Sequence, residues 1–475
     1  MEFSEKIKAI RKKNDLSQSD FGQRLGVTNR AVSKWEKGVA MPSTETLLEI
    51  SKIFGVPLDY FLREEPVSQE CKPKAEGMQS LRELYKIGKG PSSSHTMGPE
   101  RAAKLFKAEY PEADSFKAVL MGSLAKTGKG HRTDYIIVET FKPLECEIVF
   151  DISSPVPYHP NTMKLYAYKN GEELGEWEVY SVGGGSIEIK GREAIVPQNV
   201  YPHSTFAEIA EYCHDREMRL WQYVDEFEGP DIWNYLSEIW LAMQNAIRDG
   251  LKQEGILFGG LNVSRKAKHL LSQRHIDENA ETRENRLVCA YAFAVSEQNA
   301  ACGTIVTAPT CGSCGILPAV LKYVKDKRGF TEEEILHGIA TAGIIGNLIK
   351  TNASISGAEC GCQAEVGSAC AMAAAAIGEI YEMSIGQIEY AAEVAIEHHL
   401  GLTCDPILGL VQIPCIERNA VAAMRAINAI NLANFLTDSR KISFDAVVQT
   451  MYETGKDLSH RYRETSEGGL AKLYM

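Results

Sequence analysis

Nine of the twelve cysteines in this 475-residue sequence fall between Cys289 and Cys415. Three of them stand where a thiolate is useful. Cys362 lies in Gly-Cys-Gln-Ala-Glu. Cys404 lies in Leu-Thr-Cys-Asp-Pro, which predicts a turn or helix end. Cys415 follows Pro414 in Ile-Pro-Cys-Ile-Glu-Arg-Asn, which suits the first turn of a helix. The dipole and free N–H groups of a helix N-terminus favour thiolate there. Three thiolates from separate loops can hold a four-iron cubane and leave one iron without a cysteine, as an open Lewis acid. Zinc is the competing reading of the same donors. Scattered buried thiols are the plain one. The Cys311-Gly-Ser-Cys314 pair and Cys360 read as structural thiols, because no second Cys-x-x-Cys accompanies them.

A second group of residues suits binding and proton transfer. Ser92-Ser-Ser-His-Thr-Met-Gly-Pro99 offers hydroxyls, an imidazole and a helix start, which together can receive a carboxylate. Ser93, Ser94 and Thr96 are its candidate binding residues. His95 is a candidate base because imidazole titrates near neutrality. His131, in Gly-Lys-Gly-His-Arg-Thr-Asp, is an equal candidate, and His159 before Pro160-Asn161 a third. A lone histidine is more often structural, and that reading stands beside each. Gly312 and Gly315 would allow the backbone to approach a ligand closely.

These residues need a large frame. The length implies two to four domains. Residues 1–65 read as short consecutive helices, with Ile7, Ile10 and Leu16 giving the first its apolar face. Ser17 and Thr28 are expected caps, and Ser43 starts a fourth helix. Residues 66–76 are polar with two prolines and read as a linker. Residues 77–230 mix helix and strand, an α/β domain. Pro99–Ala108 is predicted helical. Strands are predicted at Phe116–Met121, Tyr135–Val138, Glu147–Phe150, Leu165–Lys169, Trp177–Val182, Ile187–Ile189 and Ala194–Ile195. Helical periodicity dominates residues 231–475. Predicted helices include Ile232–Asp249, Arg283–Ala301, Thr331–Leu348, Val366–Gly378, Ser384–His399 and Pro414–Leu436, with a capping box at Thr331 and Glu334. The Gly/Ala/Ser-rich stretch Gly361–Ala376 would let helices pack closely. The predicted fold class is therefore multidomain: an all-α head, an α/β domain and a mainly α-helical domain.

Charge separates the head from the rest. The net charge is −12, yet residues 1–52 hold ten Lys/Arg against seven Asp/Glu, so only the head is basic. The N-terminus has no apolar signal region, and apolar runs such as Val366–Ile377 are too short to span a bilayer. A soluble, cytoplasmic protein without a membrane partner is expected, and its cysteines need not form disulfides.

Within the head, residues 17–25 and 28–37 resemble the second and recognition helices of the bacterial Cro/repressor-type helix-turn-helix family. The runs Leu-Ser-Gln-Ser-Asp-Phe-Gly-Gln-Arg-Leu-Gly-Val-Thr and Val-Ser-Lys-Trp-Glu-Lys-Gly carry that resemblance. It implies DNA contacts by Asn29, Arg30, Ser33 and Lys34. Useful affinity would need a homodimer presenting two heads to two half-sites. A docking module without DNA affinity is the alternative.

The body resembles bacterial iron–sulfur L-serine dehydratases. Thr307–Leu321, Ser354–Ala374 and Gly401–Ala422 are similar to that family's α part. Gly90–Pro99, Gly122–Asp134, Tyr158–Asn161 and Ser181–Ile187 are similar to its β part. The resemblance implies a [4Fe–4S] cluster on Cys362, Cys404 and Cys415, with no pyridoxal phosphate. It implies conversion of L-serine to pyruvate and ammonia. It also brings Thr310, Gly312 and Asn161 near the substrate, with His95 or His131 as catalytic residue. Two departures are expected to matter. Many relatives have Asn where Cys311 stands, which bears on specificity for serine over cysteine or threonine. Some relatives end with a cysteine that covers the open iron, whereas this sequence ends Gly-Gly-Leu-Ala-Lys-Leu-Tyr-Met. A transcription regulator with an amino-acid- or cluster-sensing body is the reading from another class.

Overall fold

The computed structural model describes residues 3–14, 16–54, 56, 61, 75–156, 158–192, 197–274, 278–436, 440–465 and 467–474. The chain forms two compact units, Met1–Cys71 and Lys72–Met475. The expected linker lies outside the described residues except for its last two positions, and the predicted strand Ala194–Ile195 lies outside them entirely.

The first unit contains α1 (Phe3–Lys13), α2 (Gln18–Arg24), α3 (Asn29–Glu36) and α4 (Thr44–Phe54). Ser17 and Asp20 form a capping box on α2, and the Thr28 hydroxyl accepts the Ala31 N–H at the start of α3. Caps of this kind contribute about 1 kcal/mol each. Gly26 takes φ +64° between α2 and α3, a left-handed conformation that glycine adopts without strain. Ile7, Ile10, Phe21, Leu25, Val32, Trp35, Leu47 and Ile50 close the core. Leu16 was expected on the first helix, but α1 stops at Lys13 and Leu16 packs from the following loop. The Arg11 guanidinium fixes that turn, donating to the Leu16 carbonyl at 2.8 Å and pairing with Glu36 at 2.6 Å.

In the second unit, a five-stranded sheet runs in the order β2–β1–β3–β4–β5. Its strands are β1 (Ser115–Met121), β2 (Glu145–Asp151), β3 (Thr162–Lys169), β4 (Glu172–Gly183) and β5 (Ser186–Ile189). Only β1 and β2 pair in parallel. A parallel neighbour needs a crossover, commonly a helix. Thr133–Phe141 supplies it, so the predicted strand at Tyr135–Val138 is in fact helix. Its short apolar run fits either period. Burial at Thr133, Ile136, Ile137 and Phe141 follows the helical spacing. The sheet and the helix α5 (Gly98–Glu109) enclose a core of their own, with Phe106, Phe116, Phe141 and Trp177.

The remainder is helical and has a larger core. Its principal helices follow the predicted order, including Asp231–Lys252, Ala280–Ala300, Glu332–Asn352 and Cys415–Phe435. The Thr331–Glu334 capping box is present. The Ala-rich helix Ser368–Ile380 is buried at every position, as a central helix must be if apolar all round. It starts two residues later than predicted, because Gln363–Gly367 forms a wider π-type turn. Ser93–Met97 forms the same kind of turn before α5. Such turns recur at functional sites. The segments Ile87–Lys89 and Thr304–Val306 pair antiparallel, tying the serine-rich loop to the Thr310 loop. Among the described residues no helix is long and apolar enough to cross a membrane.

Candidate active site

One cavity of about 80 Å³ gathers most of the sequence-predicted residues. That is several times the space one water needs. Ser92, Ser93 and Ser94 line it from the loop before α5, and Thr310, Cys311 and Gly312 from the loop after Thr304–Val306. Cys362, Cys404 and Cys415 line it from three further segments. Ile355, Pro406 and Val411 supply apolar wall. Thr96, Asn161, His95 and His131 do not line it.

The serine loop is held by its own polar groups. The Ser92 hydroxyl accepts the His95 N–H at 3.2 Å, capping the turn. Thr96 donates to the His131 carbonyl at 2.8 Å, and Thr133 donates to the His95 carbonyl at 2.6 Å. Asn161 donates to the Ser181 carbonyl at 3.3 Å, while the Ser181 hydroxyl donates to the Ser94 carbonyl at 2.6 Å. Thr96 and Asn161 therefore brace the loop from behind.

His95 lies one residue behind the cavity wall. Its Nδ1 is 2.9 Å from the Ser94 hydroxyl and its Nε2 is 3.0 Å from Ser123 Oγ. With Ser94 donating to Nδ1, the ring hydrogen on Nε2 points at Ser123. The His131 ring lies 4.6 Å from that of His95, centroid to centroid. His131 Nδ1 is 3.2 Å from the Thr127 carbonyl, and its buried Nε2 has no partner among the described residues. Burial, and secondarily His131, hold His95 well below the usual imidazole range. Burial pushes His131 down to about 4. Both rings are neutral at pH 7, as a base must be. His159 instead accepts the Asn161 N–H at 3.0 Å in a turn.

The three thiols come from chemically distinct starts. Cys362 immediately precedes the π-type turn, Cys404 sits beside the chain's final segment, and Cys415 opens its helix as predicted. The Sγ atoms of Cys362 and Cys404 and a Glu365 carboxylate oxygen lie within 4.8 Å of one another. The hydrogen bond with Cys362, then burial, raises the Cys404 thiol, and burial, then Cys362, raises Cys415. A cation or a metal cluster eases thiols raised in this way. Burial works against the Arg418 guanidinium, but Cys362 and Asp405 raise it overall. This donor set fits a cluster bound by three cysteines.

Several functional neighbours escaped the sequence reading. Glu365 stands three residues after Cys362, and that spacing was the available signal. Its carboxylate accepts the Thr310 hydroxyl at 2.7 Å, and burial raises its pKa. A Cβ at Gly312 would lie 2.8 Å from Glu365 Oε1, so a side chain there would have to displace that carboxylate. Asn419, one turn after Cys415, donates to the carbonyls of Gly312 and Cys415 at 2.8 and 2.9 Å and accepts the Gly315 N–H at 2.9 Å. It thus ties the Thr310 loop to the Cys415 helix. Arg418 donates to the Thr403 carbonyl at 2.6 Å and pairs with Asp405 at 3.0 Å, bracing the segment on both sides of Cys404. Glu464 had no sequence signal, yet it lines the cavity, and burial, then Glu365, pushes it up to about 8. Cys311 also faces the cavity, with its thiol 3.5 Å from the Met97 sulfur.

In the first unit, Asn29, Arg30 and Lys34 are exposed on α3, and Ser33 is half-buried. Val32 and Trp35 are buried on the other face.

The chain matches family models along most of its length. Residues 204–471 match serine dehydratase alpha chain, and residues 80–147 match serine dehydratase beta chain. Residues 7–61 match a helix-turn-helix model. The L-serine dehydratase TdcG of Escherichia coli (strain K12) is 41% identical over 448 residues, covering 83% of this chain and 99% of the relative. An L-serine dehydratase of Streptomyces coelicolor is 40% identical over 452 residues, covering 82% and 98%. One from Helicobacter pylori (strain J99 / ATCC 700824) is 36% identical over 452 residues, covering 83% and 98%.

Proposed function

This chain belongs to the serine dehydratase family, and from that premise we propose that it is an L-serine ammonia-lyase holding a [4Fe–4S] cluster on Cys362, Cys404 and Cys415. The observation that carries the reading is the convergence of these three thiols with Ser92–Ser94 and Thr310–Gly312 on one cavity. When bound, the cluster supplies an open iron whose Lewis acidity acts on the substrate hydroxyl and carboxylate.

The chain's own residues do the rest. Ser93, Ser94 and the N–H groups of their turn orient the carboxylate, with Thr310 and Gly312 along the adjoining wall. His95 Nδ1 takes the Cα proton through the Ser94 hydroxyl, which gives up its own hydrogen as it accepts the new one. Ser123 keeps the imidazole in the required tautomer. His131 backs His95 and stays neutral. The His95 imidazolium gives that proton back to the departing β-hydroxyl, which leaves as water, and the resulting aminoacrylate hydrolyses through its imine tautomer to pyruvate and ammonia. Thr96 and Asn161 hold the loop in place. Cys311 in the wall makes L-cysteine and L-threonine the substrates to compare with L-serine.

Anaerobically reconstituted protein should contain iron and sulfide and release pyruvate from L-serine, and Cys404→Ala should abolish the release. A full cluster without turnover sinks this reading.

The exposed polar face of α3 supports a second role for the head, DNA binding by Asn29, Arg30, Ser33 and Lys34 from a homodimer. A gel shift on the upstream DNA of the gene, with and without L-serine, tests it. Absence of binding at low salt discards this role.

A further inference from the structure

An α-amino acid brings an ammonium group, and the residues assigned above leave it without a receptor. On the lyase reading, we propose that the Glu464 carboxylate receives the substrate ammonium. Among the described residues, no Lys, Arg or His lines the cavity, whereas Glu365, Glu464 and four cysteines do. A carboxylate in that wall can receive a cation, while the serine and Thr310 loops supply the donors for an anion. Glu365 is already engaged. One of its oxygens accepts the Thr310 hydroxyl at 2.7 Å, and the other lies 3.9 Å from the Cys404 sulfur. The Glu464 carboxylate has no hydrogen-bond partner among the described residues, and it lines the cavity.

The surrounding backbone holds Glu464 in that position. The Cys404 N–H donates to the Tyr462 carbonyl at 2.7 Å, and the Glu464 N–H donates to the Cys404 carbonyl at 2.8 Å. Leu470 N–H donates to Asp405 at 2.8 Å, so the segment is fastened on both sides of residue 464. Glu464 itself has φ +58°, a conformation costly for a residue with a Cβ. Those bonds keep it there, with its side chain on the same cavity as the thiols and the serine loop.

The test separates ammonium recognition from cluster binding. Calorimetry on anaerobically reconstituted full-length protein would compare two ligands. L-alanine carries the ammonium and carboxylate but no leaving group, and 3-hydroxypropanoate carries the carboxylate and hydroxyl but no ammonium. Glu464→Gln should weaken L-alanine by about 10- to 100-fold, the range of a charge-assisted hydrogen bond. It should leave 3-hydroxypropanoate and the iron and sulfide content unchanged. Glu464→Asp should restore part of the loss. In turnover, Glu464→Gln should raise KM for L-serine more than it lowers kcat. Equal weakening of both ligands, no weakening of either, or loss of iron would each overturn the assignment. A parent protein that binds both ligands but makes no pyruvate would overturn the lyase reading instead.

Discussion

The head and the cavity solve the problem of presenting functional groups in opposite ways. In the head, four polar residues lie within six positions of one helix, Asn29 to Lys34. Their arrangement follows from the helical period, and only Val32 and Trp35 must be buried to fix the face outward. The cavity draws on segments near residues 92, 310, 362, 404, 415 and 464. No local period joins these. Damage should therefore be graded differently: head residues contribute nearly independently, whereas cavity residues fail together with the loops they brace.

Cys404→Ala gives the widest separation. Pyruvate formation should fall by about 10³-fold or more, the scale for losing a catalytic metal centre, while DNA retardation stays unchanged. An equal fall in both activities would mean that the head depends on the cluster. The mirror experiment is Arg30→Ala with Lys34→Ala. DNA affinity should drop by about 10- to 100-fold and the salt dependence should become shallower, with pyruvate formation intact. Asn419→Ala should cut kcat/KM by about tenfold, the worth of one or two buried hydrogen bonds, with normal iron content. Retained turnover would mean that the Thr310 loop needs no tie to the Cys415 helix.

The last comparison concerns protons. His131 has a folded pKa depressed to about 4, so the unfolded chain binds its proton first as pH falls. The stability this histidine contributes is present above about pH 6.5 and is lost progressively toward pH 4, a difference of up to about 3 kcal/mol. His131→Gln should flatten that part of the acid limb in urea unfolding. The pyruvate-forming activity of the parent should hold below pH 6.5, since His95 also stays neutral there. An acid limb centred on an ordinary imidazole pKa would remove His95 from the role of base.

Much of this was legible in residue order. The caps at Ser17, Thr28 and Thr331 and the helix opened by Cys415 follow from local rules, whereas the turn or helix end expected at Cys404 is instead an isolated bridge to Arg463. Tyr135–Val138 did not, because a short apolar run carries no decisive period and the parallel pairing of β1 and β2 required a helix. The π-type turns at Ser93–Met97 and Gln363–Gly367 likewise have no sequence rule.

Sequence alone determined the donor types: three placed cysteines, a serine-histidine loop, and a basic helix with its polar face. Residue chemistry and short-range spacing are properties of the chain itself. Only the tertiary structure decided which of them share a cavity. It brought Ser94 to the wall and put His95 and His131 behind it. It set Asn419 between two loops and added Glu464 from the far end of the body. Those pairings span tens to hundreds of residues and are fixed by core packing and buried hydrogen bonds, which no local pattern records.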